Sequence, residues 1–569
     1  MLDLALNKRQ SRKMYRTLAL LLLTAAAAPA AARQTEFAPS ESALHGYVLG
    51  RYAASDDALG RAAAYFDDAR SKDPGRPALA RRAFDLAVAA GDRPRATDLA
   101  KQLVAAGAGD SDVEMVRLAD AVLRKDWKSA TLARSKIANA GYAAVVEPIV
   151  DAWVLFGSGD AAAGLAKLDP VNFSGFARAY IAEQRAHMLA ADGRWSEAAA
   201  AYSELRAGTG AGISFLRAGE ADALAMGGDR AGALKLLSGE DTVVEAARAR
   251  LDAGKRIGAL APDPRRGIAW MMARLASDLS REKPVPLALL FARVSTFLAP
   301  ELSATWLITG DVLSRSEQPE TALTAYAQVP DNDPLFETAK LRRAETLERL
   351  GRDKDAGVLL SAATNSPAAT ADDWTRLGDW HRRADRHAEA ITAYSRAISV
   401  AGQDDAGWGL YFLRGSMAER AGDWPKAEAD LREALKRSPD EPMVLNYLGY
   451  SMLDRGISSP EAVGMVERAA KLRPGDGGVI DSLGWSQYRQ GRFADAVASL
   501  EKASEREPTD PTVTEHLGDA YWRVGRRIEA RFRWRAALDL DPSVKQGEAI
   551  RGKLAYGLDA APGMTATKS

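Results

Sequence analysis

From residue 43 to residue 544, apolar residues recur every three or four positions in short stretches broken by turn residues. That period places one apolar stripe along an α-helix, and each stretch is long enough for a helix of about 12–14 residues. The C-terminal third shows how the helices are grouped. Gly415, Gly449, Gly484 and Gly518 recur at intervals of 34, 35 and 34, and Gly422, Gly456, Gly491 and Gly525 follow them. Next come Ala427, Ala462, Ala496 and Ala530, then Ala434, Ala469, Ala503 and Ala537, and Pro439, Pro474, Pro508 and Pro542 close each unit. The pattern predicts a helical hairpin per unit. The first Gly allows close approach of the partner helix, and the second suits the turn, where φ > 0 is needed. The paired Ala residues keep the crossing tight, with Leu431, Val466, Leu500 or Trp534 between them. The Pro ends the second helix.

The same register runs upstream with less fidelity. Units beginning near 269, 303, 337 and 371 keep Ala288, Trp306, Gly310, Tyr326, Gly378 and Tyr394, and Asp405–Gly407 is an insert before the unit at 408. Units starting at 43 and 77 are followed by weaker ones near 111, 145, 179 and 213. The expected organisation is an N-terminal divergent array over 33–246 and an irregular linker or hinge over 247–268, rich in Gly and Pro. A C-terminal array follows over 269–544, then a capping helix over 545–556 and a disordered tail over 557–569.

The repeats resemble the tetratricopeptide family, on Leu448-Gly449, Leu483-Gly484 and Leu517-Gly518 with their downstream Ala, Ala and Pro. The resemblance implies an all-α fold, an α-α superhelical solenoid of helix-turn-helix repeats whose first helices line a concave groove. In this family the groove residues occupy the second, fifth, ninth, twelfth and thirteenth positions of a unit. Carried onto the best-matched units, that rule names Asn446, Tyr450 and Asp454, then Asp481, Trp485, Tyr488 and Arg489, then Glu515, Asp519, Trp522 and Arg523. Aromatic rings among acids, an amide and Arg suit a protein or peptide partner. Trp485 and Trp522 have two readings, groove or packing between adjacent units.

The N-terminus changes the compartment. Lys8, Arg9, Arg12, Lys13 and Arg16 precede the apolar run Leu18–Ala28 and then Ala30-Ala31-Ala32, the pattern of a secretory signal over residues 1–32 cleaved near Ala32, with the start at Met1 or Met14. The run is too short to span a membrane. Of 76 basic and 76 acidic residues in all, removing 1–32 takes five bases and Asp3, leaving 71 against 75 and a net charge of −4. The expected product is exported and soluble, in the periplasm of a Gram-negative cell, and not an integral membrane protein. With no cysteine there is no disulfide scaffold, thiolate metal site or lipidated cysteine.

Catalytic patterns are absent. His45, His187, His381, His387 and His516 lack metal-site spacing and read as ordinary helix side chains. Gly449-Tyr450-Ser451 and Gly484-Trp485-Ser486 lack the second Gly of a nucleophile elbow. No phosphate loop is present. The chain is expected to be no enzyme, with no cofactor and no metal. The basic cluster Arg523, Arg526, Arg527, Arg531, Arg533 and Arg535 reads as a solvated helix face, with no nucleic acid expected for an acidic exported chain.

Residues 445–456, 481–491 and 515–538 resemble long envelope repeat proteins of proteobacteria, including lipoprotein adaptors that hold a processing protease and its cell-wall hydrolase substrates together. This sequence departs from those adaptors in having no lipidation cysteine. The resemblance implies a non-enzymatic scaffold of the cell envelope that recruits substrates to a protease. The alternative is a subunit of an exopolysaccharide or outer-membrane export or assembly system.

Overall fold

The structure, a computed structural model, describes residues 41–559 apart from 138–141, 209–212, 240, 282–285, 366–368 and 458. The expected signal over 1–32, and residues 560–569 of the expected tail, lie outside the described residues. The described residues form thirty α-helices and no strand, an all-α solenoid of helix-turn-helix pairs. Unit starts read at 303, 337, 371 and 408 fall at, or one residue after, the first residues of helices Ser303–Arg315, Phe336–Arg349, Ala371–Arg383 and Trp408–Arg420.

Local chemistry sets the helix starts. Asp423, Asp476 and Asp510 cap their helices by accepting from backbone N–H groups, and Pro442 and Pro511 stand in the first turn, where no N–H is missed. Gly422, Gly456, Gly491 and Gly525 turn the chain with φ of +84°, +80°, +77° and +84°. At Gly484 a Cβ would stand 2.6 Å from Leu500 Cγ, so the two helices of that pair meet at van der Waals contact only without one.

The chain divides into two compact units, residues 1–356 and 357–569. In the second, each of the last four second helices buries an Ala–large–Ala triplet completely: Ala427/Leu431/Ala434, Ala462/Val466/Ala469, Ala496/Leu500/Ala503 and Ala530/Trp534/Ala537 are all 0% exposed. Helix Val544–Tyr556 follows the last pair and packs on it through Ile550.

The first unit is built differently. Helices Thr242–Asp252 and Pro264–Leu279 run into the stretch 247–268, leaving 253–263 outside helix, and the whole stretch lies inside this unit. The next hairpin, Pro264–Leu279 with Pro286–Leu298, carries on into helix Ser303–Arg315 and also folds back on earlier helices. Helix Pro264–Leu279 packs on Ser111–Leu123, Ala143–Gly157 and Gly175–Ala191, and helix Pro286–Leu298 on Pro77–Ala90 and Ser111–Leu123. These are the first helices of their pairs, whose outward faces line the inner surface of a hairpin array. Part of the inner surface of this array is therefore covered by its own chain.

Polar anchors fix the insertion. Trp270 Nε1 donates to Glu183 (2.6 Å), Tyr180 OH to Asp278 (2.6 Å) and Arg293 Nε to the Ala89 carbonyl (2.9 Å). Burial lowers the Arg293 pKa to about 10, with Asp57 opposing the shift, yet the group stays charged at neutral pH. It sits at the C-terminal end of helix Pro77–Ala90, where a cation meets the last carbonyls favourably. Asp57 closes the unit by accepting from Glu320 N (2.7 Å) and Thr321 N (3.1 Å) at the start of helix Pro319–Tyr326.

Candidate functional site

The named groove residues sit on three successive first helices of the second unit: Pro442–Asp454, Gly477–Arg489 and Pro511–Arg523. Asn446/Tyr450/Asp454, Asp481/Trp485/Arg489 and Glu515/Asp519/Arg523 each fall at i, i+4 and i+8, one stripe per helix. The stripes share an origin, but the structure treats them differently.

The last stripe is satisfied internally. Lys553 Nζ, from the C-terminal helix, lies 2.7 Å from Glu515 Oε1 and 2.6 Å from Asp519 Oδ2. Gln546 donates to the second Glu515 oxygen (2.8 Å) and Trp534 Nε1 to the second Asp519 oxygen (2.8 Å). Trp522 is buried against Trp534 and donates to Asp559 (2.9 Å), which also accepts from Arg523 (2.7 Å). Of the two readings of Trp522, packing describes it.

The middle stripe forms a ring stack. Trp485 is sandwiched between Tyr488, 4.8 Å away at 5°, and His516, 4.1 Å away at 14°. His516 Nδ1 lies 2.9 Å from Asp481 Oδ2. Burial works against a charged imidazole, but Asp481, Asp519 and Glu515 outweigh it and raise the pKa above the ordinary 6.5. Trp485 is also mostly packed, yet its Nε1 is buried without an acceptor.

The first stripe is open. Asn446 Oδ1 is buried without a donor. Tyr450 is partly exposed, and its hydroxyl pKa is raised by burial and by the acids Asp454, Asp481, Glu515 and Asp510 around it. Asp454 and Arg489 are exposed, and neither side chain makes a hydrogen bond or ion pair among the described residues. The structure thus leaves Asn446, Tyr450, Asp454, Trp485 and Arg489 with unused polar groups on adjacent helices.

The raised His516 pKa carries a prediction. A group bound more tightly to its proton in the folded state stabilises fully below its unfolded pKa, and that contribution is lost as pH rises through the folded value. Melting of the second unit should therefore fall between pH 6 and 8, and His516→Gln should flatten this slope. A wild-type melting temperature independent of pH over that range would refute the coupling.

Sequence reasoning missed His516, Lys553 and Asp559. The repeat interval was the available signal, since Lys553 follows Asp519 by 34 residues and His516 follows Asp481 by 35. The basic cluster is largely engaged as well. Arg526 pairs with Glu501 (3.0 Å) and Glu529 (3.1 Å), and Arg527 lies over the Trp522 ring. Ser451 and Ser486 are buried inside helices.

A family model described as tetratricopeptide repeat matches residues 309–370, 412–476 and 482–545. These three segments carry tetratricopeptide repeats. A tetratricopeptide-repeat-containing protein of Pseudomonas aeruginosa, PA4667, is 37% identical over 184 residues, 32% of this chain and 30% of that protein. The chain thus spans less than a third of that relative's length. Among solved structures, MamA MSR-1 aligns at 22% identity and a TM-score of 0.26 over 30% of this chain and 96% of its own. YrrB, described as a tetratricopeptide protein with an unusual peptide-binding site, aligns at 16% and 0.27 over 33% and 94%. The C-terminal part of a repeat protein from Cytophaga hutchinsonii aligns at 15% and 0.30 over 38% and 83%. Among the described residues no helix is long and apolar enough to cross a membrane, and no His, Asp and Glu cluster is arranged to hold a metal ion.

Proposed function

We propose that this tetratricopeptide chain is a non-enzymatic scaffold, exported to the periplasm, that binds a protein partner along the first helices Pro442–Asp454 and Gly477–Arg489. One observation carries the reading. On two adjacent first helices, the Asn446 carbonyl and the Trp485 N–H are buried without partners, beside the unpaired Asp454 and Arg489, while the next repeat's equivalents are satisfied by the chain itself. A buried polar group without a partner costs about 1–3 kcal/mol, so a ligand that draws these two side chains outward and supplies the missing donor and acceptor recovers it. An extended peptide offers both along its backbone.

The export reading is supported by the basic, apolar and small-residue pattern of residues 1–32. The resemblance to envelope adaptors supports a processing protease or cell-wall hydrolase as the recruited protein. The test is a photo-crosslinker at Tyr450 in intact cells, followed by fractionation. A discrete periplasmic adduct is expected, and Asp454→Lys with Arg489→Glu should reduce it at least about tenfold without shifting the melting temperature. No adduct with the wild-type stripe residues would sink the proposal.

A further inference from the structure

The last repeat of the second unit departs from its neighbours on its solvent side. Two residues before and two after the first buried Ala of the second helix, the three preceding repeats place Pro425 and Ala429, Pro460 and Gly464, and Ala494 and Ala498, all exposed. The fourth places Ile528 and Phe532 there, 84% and 68% exposed. One turn apart on helix Arg527–Asp539, they stand on the same outward face. Neither belongs to the core of the repeat, so packing within the chain does not call for a large apolar side chain at either position.

Positive charge gathers at the same place. Arg527, Arg531 and Arg535 flank the two apolar side chains. In the three earlier repeats the same positions hold one cation in all, Arg432, against the acids Glu428, Glu467 and Glu501. Among the described residues no carboxylate pairs with any of the three arginines. Arg531 donates to the Leu554 carbonyl, and Arg527 and Arg531 lie over the Trp522 ring at 4.1 and 5.8 Å. Those contacts hold the guanidinium groups in place without neutralising them. The acids closest by are in use, Glu529 with Arg526, and Asp559 with Trp522 and Arg523. Asp539, a turn beyond Arg535, is the other acid of the helix.

We propose that this face docks on a bilayer surface rich in anionic phospholipid, with Ile528 and Phe532 entering the headgroup–acyl boundary and Arg527, Arg531 and Arg535 holding phosphates. Interfacial binding grows with the apolar area inserted and with the attraction of cations to anionic lipid, and this face supplies both. A guanidinium fork donates two parallel hydrogen bonds to one phosphate. A second copy of the chain fits the face poorly, because a two-fold interface through it would set the three cations of one copy against those of the other. The face lies on a second helix, and it does not depend on the partner proposed for the stripes on the first helices.

The test uses the full chain, whose lack of cysteine allows a nitrobenzoxadiazole dye to be placed at Ile528→Cys alone, or at Ala494→Cys, the equivalent position one repeat earlier. Vesicles are phosphatidylcholine alone, or with about one third phosphatidylglycerol. The dye at 528 is expected to brighten and shift to the blue on the anionic vesicles only, and the dye at 494 to stay unchanged. Phe532→Ser and Arg535→Glu, both at exposed positions, should each weaken the vesicle affinity by about tenfold or more. A flat signal at 528 on anionic vesicles overturns the proposal, as would be seen if the occupant were an acidic protein. An equal response on neutral vesicles, an equal response at 494, or two unaffected variants also overturns it. A signal at 528 that rises with protein concentration in the absence of vesicles would assign the face to a second copy instead.

Discussion

Lys553→Met is expected to remove about 3–5 kcal/mol from the last repeat of the second unit, because it strands two buried carboxylates. Lys553 is only 3% exposed, and its ammonium is shared by Glu515 and Asp519. Burial alone would lower the lysine pKa, but Asp519 and Glu515 hold it above the ordinary 10.5. In the wild type this contribution is therefore complete below that value and is lost only as pH rises through the folded pKa. In the variant stability again falls as pH rises, but in the lower range where the carboxyls titrate. A buried carboxyl without its cation holds a proton more tightly folded than unfolded, so lowering the pH restores stability. Thermal unfolding followed by tryptophan fluorescence, with Trp522 and Trp534 beside the site, should show a larger loss at pH 8 than at pH 5. Adding Glu515→Gln and Asp519→Asn to Lys553→Met should recover much of it. A Lys553→Met melting temperature equal to wild type at both pH values would show that the C-terminal helix is not docked. The effect should also spread, since each repeat is stabilised mainly by its neighbours and an unpinned end lets unfolding begin there.

The sequence carried the repeat and the stripes, because both follow from local spacing. Gly484 against Leu500 and the positive φ at Gly491 are consequences of a 34-residue period that any reader of the chain can find. The partly covered inner face of the first unit is another matter. Helix Pro286–Leu298 was read as part of an ordinary repeat through Ala288, yet every residue from Ala288 to Leu298 is buried. A helix that is apolar nearly all round belongs inside a fold, and that much of the signal was present in the sequence. Its partner could not be read, since Arg293 meets Ala89 across 204 residues and no local rule connects them. The candidate site divides along the same line. Asn446, Tyr450 and Asp454 follow from helical spacing, whereas Lys553 and Asp559 look like ordinary exposed charges until the C-terminal helix is docked.

Gly267→Ala is the corresponding test of the first unit, and it is expected to cost about 3 kcal/mol, at the upper end of overpacking. A Cβ at Gly267 would stand 2.5 Å from Trp153 Nε1 and closer still to Cε2 and Cζ2. The indole cannot swing away, because Trp153 is fully buried and its Nε1 donates to Gln184 at 2.9 Å. Helix Pro264–Leu279 must then retreat, which pulls Trp270 from Glu183 and loosens the hairpin that also carries Arg293. Trp153→Leu would cost stability by itself, but combined with Gly267→Ala the two should be less harmful than their sum, with a coupling of about 1–3 kcal/mol. Hydrogen exchange should report the retreat as faster exchange across 264–298, with 442–556 unchanged. A Gly267→Ala protein with wild-type exchange over 264–298 would mean that the hairpin is not seated on the first helices. The inner face of the first array would then be uncovered, and a partner could bind there as well as at the stripes proposed on Pro442–Asp454 and Gly477–Arg489.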